Sequence, residues 1–306
     1  MHTGNYFLET KLNTGMVKLS VKEYIPSELK SIIILLHGMT EHMGRYDDFA
    51  TELCDVGIGV VGFDLPGHGM STSFGECASF GEGNWESLVI YISDFIRFVQ
   101  NKYNCPIYIM GFSLGSFILR EYLARNPVML AGAIIVGTGI QPNIVIKGLE
   151  CIVNREIRKV GFNNGSELID ALSFGQYNKS IEKAETQYDW LCSDKKSIAE
   201  YAGDNFSKKR ISAGLFKDLL GSMRRTNNSK QYRTWNPKLR VLIVSGMNDP
   251  VGNNGRGPKG LSEELINAGI QDVQFELFPG RHDIFHECEN GTYTEFLNLL
   301  MSWILE

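Results

Sequence analysis

Cys105-Pro106-Ile107-Tyr108-Ile109-Met110-Gly111-Phe112-Ser113-Leu114-Gly115-Ser116-Phe117-Ile118-Leu119-Arg120 decides how this chain is read. An apolar run of strand length ends in Gly-x-Ser-x-Gly, and a helical pattern follows at once, continuing to Arg125 ahead of Asn126-Pro127. Passing from strand to helix without a loop forces a sharp turn. Its central residue is pushed into strained φ/ψ, and the crowded backbones need glycines two before and two after. With 32 glycines among 306 residues, composition alone yields about 0.24 such pentapeptides by chance, so the motif carries weight only through its place between strand and helix. In that place Ser113 is a candidate nucleophile rather than a helix cap.

On either side of this stretch the pattern repeats. Ile32-Ile33-Ile34-Leu35-Leu36 is continuously apolar, as a strand covered on both faces must be. Arg45 to Val56 reads as a helix and Gly59 to Phe63 as a strand. Trp85 to Tyr103 reads as a long helix with Leu88, Tyr91, Ile92, Phe95 and Val99 on one face, and Ala133 to Val136 as another buried run. From Gln141 to about Trp235 the alternation stops. Helical patterns dominate there, with Leu149, Ile152, Val153, Ile157 and Val160 as one expected face. Strand and helix return at Val241 to Val244, Leu261 to Ala268, Val273 to Leu277 and Tyr293 to Leu305, while Val17, Leu19 and Val21 suit an antiparallel edge hairpin. The expected architecture is a mostly parallel sheet flanked by helices, split into residues 1–140 and 236–306 by a helical insertion at 141–235.

A serine hydroxyl needs a base, and the base needs a group to orient it. In open α/β sheets chemistry gathers beyond the carboxyl ends of the strands. Asp249 follows the strand at Val241 to Val244, and His282 follows the strand at Val273 to Phe278. Asp272 precedes its strand and belongs at the opposite edge, Asp283 is too near His282 in sequence for a straight bond, and His286 is expected to support the site. The oxyanion donors expected are the backbone N–H groups of Leu114 and, in the loop His37-Gly38-Met39, of Met39. Asp64 to Gly69 reads as a structural turn near the site.

His37-Gly38-Met39-Thr40-Glu41-His42, Phe63-Asp64-Leu65-Pro66-Gly67-His68-Gly69, Gly111-Phe112-Ser113-Leu114-Gly115, Asp249-Pro250-Val251 and Gly280-Arg281-His282 together resemble the α/β-hydrolase superfamily. Within it the likeness is to monoacylglycerol lipase and lysophospholipase-like serine hydrolases, and Tyr188-Asp189-Trp190-Leu191 with Ser193-Asp194 is similar to cap sequence of bacterial members. The resemblance implies an α/β-hydrolase fold with a helical cap, and hydrolysis of a carboxylic ester of one acyl chain through an acyl-serine. Thr40 stands where the mammalian monoacylglycerol lipase pattern has a second glycine, and Phe112 where it has a histidine.

Other chemistries share parts of this pattern. His282 and His286 have the H-x-x-x-H spacing of two zinc ligands on one helix face, but no third ligand is evident, and neither metal nor cofactor is expected. A peptidase, thioesterase or acyltransferase shares the acyl-enzyme, and a non-catalytic binding protein shares the fold. The composition, 43% hydrophobic and 21% charged, is that of a globular protein, and 35 acidic against 30 basic residues leave a net charge of −5, unsuited to nucleic acid. The longest aliphatic run, Ile32 to Leu36, is far too short to span a membrane, and the N-terminus lacks a signal-peptide pattern, so a cytoplasmic location is expected. The insertion is expected to cover Ser113, with room for transient contact between its apolar residues and lipid aggregates. The six cysteines, with no metal or disulfide spacing, are expected to be mostly buried free thiols.

Overall fold

Strands β3 (Ser31–Leu36), β4 (Ile58–Phe63), β5 (Ile107–Phe112) and β6 (Gly132–Val136) are buried along their whole length, as the continuous apolar runs require. The computed structural model describes residues 1–125 and 129–306, so the helix stop expected at Asn126-Pro127 lies outside the described residues. With β1 (His2–Leu12), β2 (Gly15–Ile25), β7 (Arg240–Gly246) and β8 (Asp272–Phe278), these strands form one sheet in the order β1-β2-β4-β3-β5-β6-β7-β8. β1 and β2 pair antiparallel, and β2 meets β4 antiparallel; from β4 onward all neighbours are parallel. The chain is thus an α/β protein whose edge hairpin sits where the alternation of Val17, Leu19 and Val21 placed it.

Both faces are covered. Successive side chains of a strand point to opposite sides, and β3 shows it: Ile32, Ile34 and Leu36 join one apolar cluster with α2 (Asn84–Tyr103), α3 (Leu114–Arg125) and α9 (Arg256–Ala268), whereas Ile33 and Leu35 join a second with α1 (Asp47–Asp55) and α10 (Thr292–Leu305). Every residue named for the inner face of α2 is buried.

Between β6 and β7 lie α4 (Asn143–Val160), α5 (Glu167–Ser173), α6 (Lys195–Gly203), α7 (Ala213–Thr226) and the short α8 (Ser229–Tyr232), and no strand among the described residues. Ser166, Asp194 and Ser212 cap α5, α6 and α7 by accepting N–H bonds from Ile169, Ser197 and Leu215. The inner face of α4 differs from expectation. Ile146 and Val153 are buried against Ile169, Ile211 and Phe216, with Leu149, Ile157 and Val160 beside them, but Ile152 is exposed. A helix advances 100° per residue, so residues 152 and 153 cannot share a narrow seam. The cysteines also divide: Cys54, Cys77 and Cys192 are buried, Cys105 is half-buried, and Cys151 and Cys288 are exposed.

Candidate active site

The carboxyl ends of the parallel strands deliver His37, Asp64, Ser113, Asp249 and His282 to one edge of the sheet, because all these strands run the same way. Ser113 stands between β5 and α3 with φ of 49°, the left-handed conformation a sharp turn imposes. Its N–H donates to Val136 O (2.9 Å), and its own carbonyl accepts from the N–H (2.9 Å) and hydroxyl (2.6 Å) of Ser116. The flanking glycines are explained by contact: a Cβ on Gly111 would strike the carbonyl of Gly115, and one on Gly115 the carbonyl of Leu36. Leu114 opens α3, so its N–H is among the first-turn donors that have no intrahelical acceptor.

His282 and Asp249 are buried together. The Nδ1–H of His282 donates to Asp249 Oδ1 at 2.9 Å; the same oxygen accepts from Val251 N–H (2.8 Å), and Oδ2 accepts from the Ser245 hydroxyl (3.2 Å). With Nδ1 carrying the proton, Nε2 is the lone-pair nitrogen, and it is buried without a hydrogen-bond partner among the described residues. The imidazole is held between Phe112 and Trp190, with ring centroids 4.9 and 5.2 Å away. Met39, Ser113 and His282 line one narrow pocket, closed by Phe174, Trp190 and Tyr201 from the insertion. Its volume of about 20 Å³ holds a water molecule and not an ester. The same three aromatic residues and Thr40 also line a neighbouring cavity of about 420 Å³, whose wall includes Lys208, Lys209 and Arg210.

The remaining candidates have other partners. Asp272 begins β8 at the far edge of the sheet, beside Arg240. Asp283 accepts from Arg45 (2.9 Å) and pairs with His286 Nδ1 (2.9 Å), and although burial opposes it, these two partners hold its carboxyl well below the usual range. The helical turn that follows His282 starts at Ile284, so His282 and His286 do not share a helix face and are bound to different carboxylates. His37 is buried: its Nε2 accepts the Leu65 N–H (2.8 Å) and its Nδ1 lies 2.7 Å from Gly38 O. Burial lowers its pKa to about 4, so it is a neutral structural link between the loops after β3 and β4. Asp64 ties the same loops together by accepting the N–H groups of Met43 (2.8 Å) and Met70 (2.9 Å).

Three further groups shape the site: Glu41 and Thr40 belong to the segment that carries the family resemblance, which gave neither a structural role, and Glu287 carries no signal in the sequence. Glu41 accepts bonds from Gly38 N–H, Tyr46 and Arg45, bracing the loop that carries Met39. Glu287, fully buried, accepts from the N–H groups of Arg281 (2.7 Å) and Ser193 (3.0 Å), while the Arg281 guanidinium donates to the carbonyls of Asp189 and Cys192. The insertion segment 189–193 is thereby laced to the loop of His282. Thr40 takes a φ of 59°. Only the departure from glycine at that position hints at it.

A family model described as Hydrolase_4, serine aminopeptidase S33, matches residues 27–289. The monoacylglycerol lipase of Mycolicibacterium smegmatis is 23% identical over 299 residues, spanning 95% of this chain and 94% of its own. The monoglyceride lipase of Rattus norvegicus is 30% identical over 277 residues, spanning 90% of this chain and 82% of its own. A thermostable carboxyl esterase from Bacillus coagulans shares the fold, with a TM-score of 0.88 at 23% identity over 99% of this chain and 98% of that one.

Proposed function

We propose, for a chain that belongs to the Hydrolase_4 family and is a carboxylester hydrolase of the serine type, that it cleaves esters of a single acyl chain through an acyl-serine on Ser113. The observation that carries this reading is the buried His282, with Nδ1–H on Asp249 and a free Nε2 in the pocket of Ser113. In the proposed reaction Ser113 Oγ attacks the ester carbonyl and its proton passes to His282 Nε2. The C–O bond breaks and the alcohol leaves with that proton; water, deprotonated by the same nitrogen, then releases the carboxylic acid and restores Ser113. Asp249 holds the tautomer, and the N–H groups of Met39 and Leu114 receive the developing oxyanion.

We divide the chain into a core of residues 1–140 and 236–306 and a cap of residues 141–235. Ile144, Val145, Ile152 and Leu168 are exposed on the cap and would allow transient contact with lipid aggregates. No helix among the described residues is long and apolar enough to cross a membrane. The family description and the relatives point to different acyl compounds, an aminopeptide or a monoacylglycerol. Electrostatics favours the ester: an aminopeptide brings an ammonium group, and the one carboxylate among the described residues lining the cavity beside the site, Asp170, is paired with Arg210 at 2.7 Å. Lys208 and Lys209 on the same wall would repel a cation and suit a neutral or anionic leaving group, which keeps lysophospholipids beside monoacylglycerols as substrates.

The test has two parts. A fluorophosphonate should label Ser113, and Ser113→Ala or His282→Ala should lower kcat at least about 10³-fold with the fold intact. In a panel of monoacylglycerols, lysophospholipids, p-nitrophenyl esters, thioesters and aminoacyl anilides, the two monoacyl classes should show the highest kcat/KM. Dominant hydrolysis of the anilides would overturn the substrate reading, and an unlabelled serine the mechanism.

A further inference from the structure

Thr40 adopts a backbone that its side chain opposes. At φ of 59° a β-branched residue is an outlier, strained relative to a relaxed conformation. Glycine would adopt it freely, so something must hold threonine there, next to the residue whose N–H is proposed to meet the oxyanion. The hydroxyl of Thr40 donates to Met39 O at 2.7 Å, which uses its only proton. The Tyr201 hydroxyl, 2.8 Å from Thr40 Oγ1 and 3.2 Å from Thr40 O, is then the donor, sharing its proton between the two oxygens. Lys208 N–H adds a third bond, to Thr40 O at 3.0 Å.

Both external donors come from the insertion, Tyr201 from α6 and Lys208 from the segment after it, so the core supplies the strained turn and the insertion supplies the clamp. Tyr201 is itself fixed: it is buried, the Arg45 guanidinium lies 5.0 Å from its ring centre, and Tyr188 packs edge-on at 5.1 Å. Burial pushes its phenol up to about 12, so it remains a donor through neutral pH.

We infer that Tyr201 is a positioning residue: by holding Thr40 in the left-handed turn it sets the Met39 N–H for the oxyanion, so that the insertion completes the oxyanion hole. This rests on the roles given above to Ser113 and Met39. A Met39 N–H held out of line stabilises the transition state less while leaving the ground-state complex unchanged, so the loss falls on kcat.

The experiment compares wild type, Tyr201→Phe, Thr40→Gly and the double variant, reading kcat, KM and the Ki of an alkyl boronic acid whose tetrahedral adduct on Ser113 mimics the oxyanion. Tyr201→Phe keeps the ring and is expected to lower kcat about tenfold, leave KM within about twofold and raise the boronate Ki in step with kcat. In the Thr40→Gly background, taken as its own baseline, the same change should cost less than about threefold, because glycine needs no clamp. An unchanged kcat in Tyr201→Phe overturns the proposal, as does a loss that stays at full size in the Thr40→Gly background or falls on KM alone, which would mark a pocket wall. If wild type neither binds the boronate nor reacts with a fluorophosphonate, the reading of Ser113 falls first and takes this one with it. Normal wild-type inhibition with a silent Tyr201→Phe sinks the clamp alone.

Discussion

Ile32-Ile33-Ile34 and Ile144-Val145-Ile146 are almost the same tripeptide, yet they end in different surroundings. All three isoleucines of β3 are fully buried, whereas in α4 Ile144 is 79% exposed, Val145 45% and Ile146 not at all. A central parallel strand is covered by helices on both faces, so neither set of alternate side chains reaches water. A helix lying on the outside of the molecule has one inner seam, and residues 100° and 200° away from it face outward. An apolar run therefore reports burial only once the element that carries it, and the number of its covered faces, are known.

The sharpest way to break this comparison is to truncate its buried members. Ile33→Ala should destabilise the whole chain by about 2–5 kcal/mol, seen as a lower midpoint in denaturant with circular dichroism as the probe. Ile146→Ala removes a side chain just as buried, but from the smaller cluster of the insertion. It should cost about 2–3 kcal/mol and appear first as increased amide exchange in α4 and α7, before the sheet opens. Equal exchange in sheet and insertion would mean that the two regions unfold as one unit.

A smaller effect is expected in α7. Asp218 Oδ2 is buried without a partner among the described residues, and burial raises its carboxyl to about 7 despite Lys217 and Arg225 nearby. Its folded value lies above the unfolded one, so the folded chain retains a proton that the unfolded chain gives up near pH 4. Stability tied to that proton is complete below pH 4 and is lost as pH rises toward 7. Asp218→Asn should thus stabilise the fold at pH 8 by on the order of 1 kcal/mol, read as a higher Tm, and change little at pH 4. A gain of the same size at both values would assign the effect to packing instead.

The smallest change in stability belongs to the exposed residues. Ile144→Ser and Ile152→Ser should each stay within about 0.5 kcal/mol of wild type in thermal melts. Their expected consequence is selective, a lower rate on micellar substrate with unchanged hydrolysis of a soluble short-chain ester. Equal loss on both substrates would contradict an outward-facing role.

Much of this is written locally. The turn at Ser113 is encoded within about ten residues, because an apolar strand, two glycines and a helix start are neighbours in the chain, and chain direction in a parallel sheet then brings Asp249 and His282 to the same edge. The helical character of residues 141–235 is legible from period alone. Period places the inner face of α4 one residue off at 152, since several apolar residues on adjacent helix positions leave the seam undetermined until a partner surface selects it.

The sequence alone determined the order of strands and helices outside the insertion, the strand-to-helix turn and the chemical groups available at the strand ends, since each depends on residues a few positions apart. Only the tertiary structure decided which insertion residues reach water, how Asp189 to Ser193 are fastened to the loop of His282, and that Tyr201 meets Thr40 across 161 positions of chain. Such contacts join segments whose local preferences are independent, so nothing in either segment announces the other until packing brings them within hydrogen-bond reach.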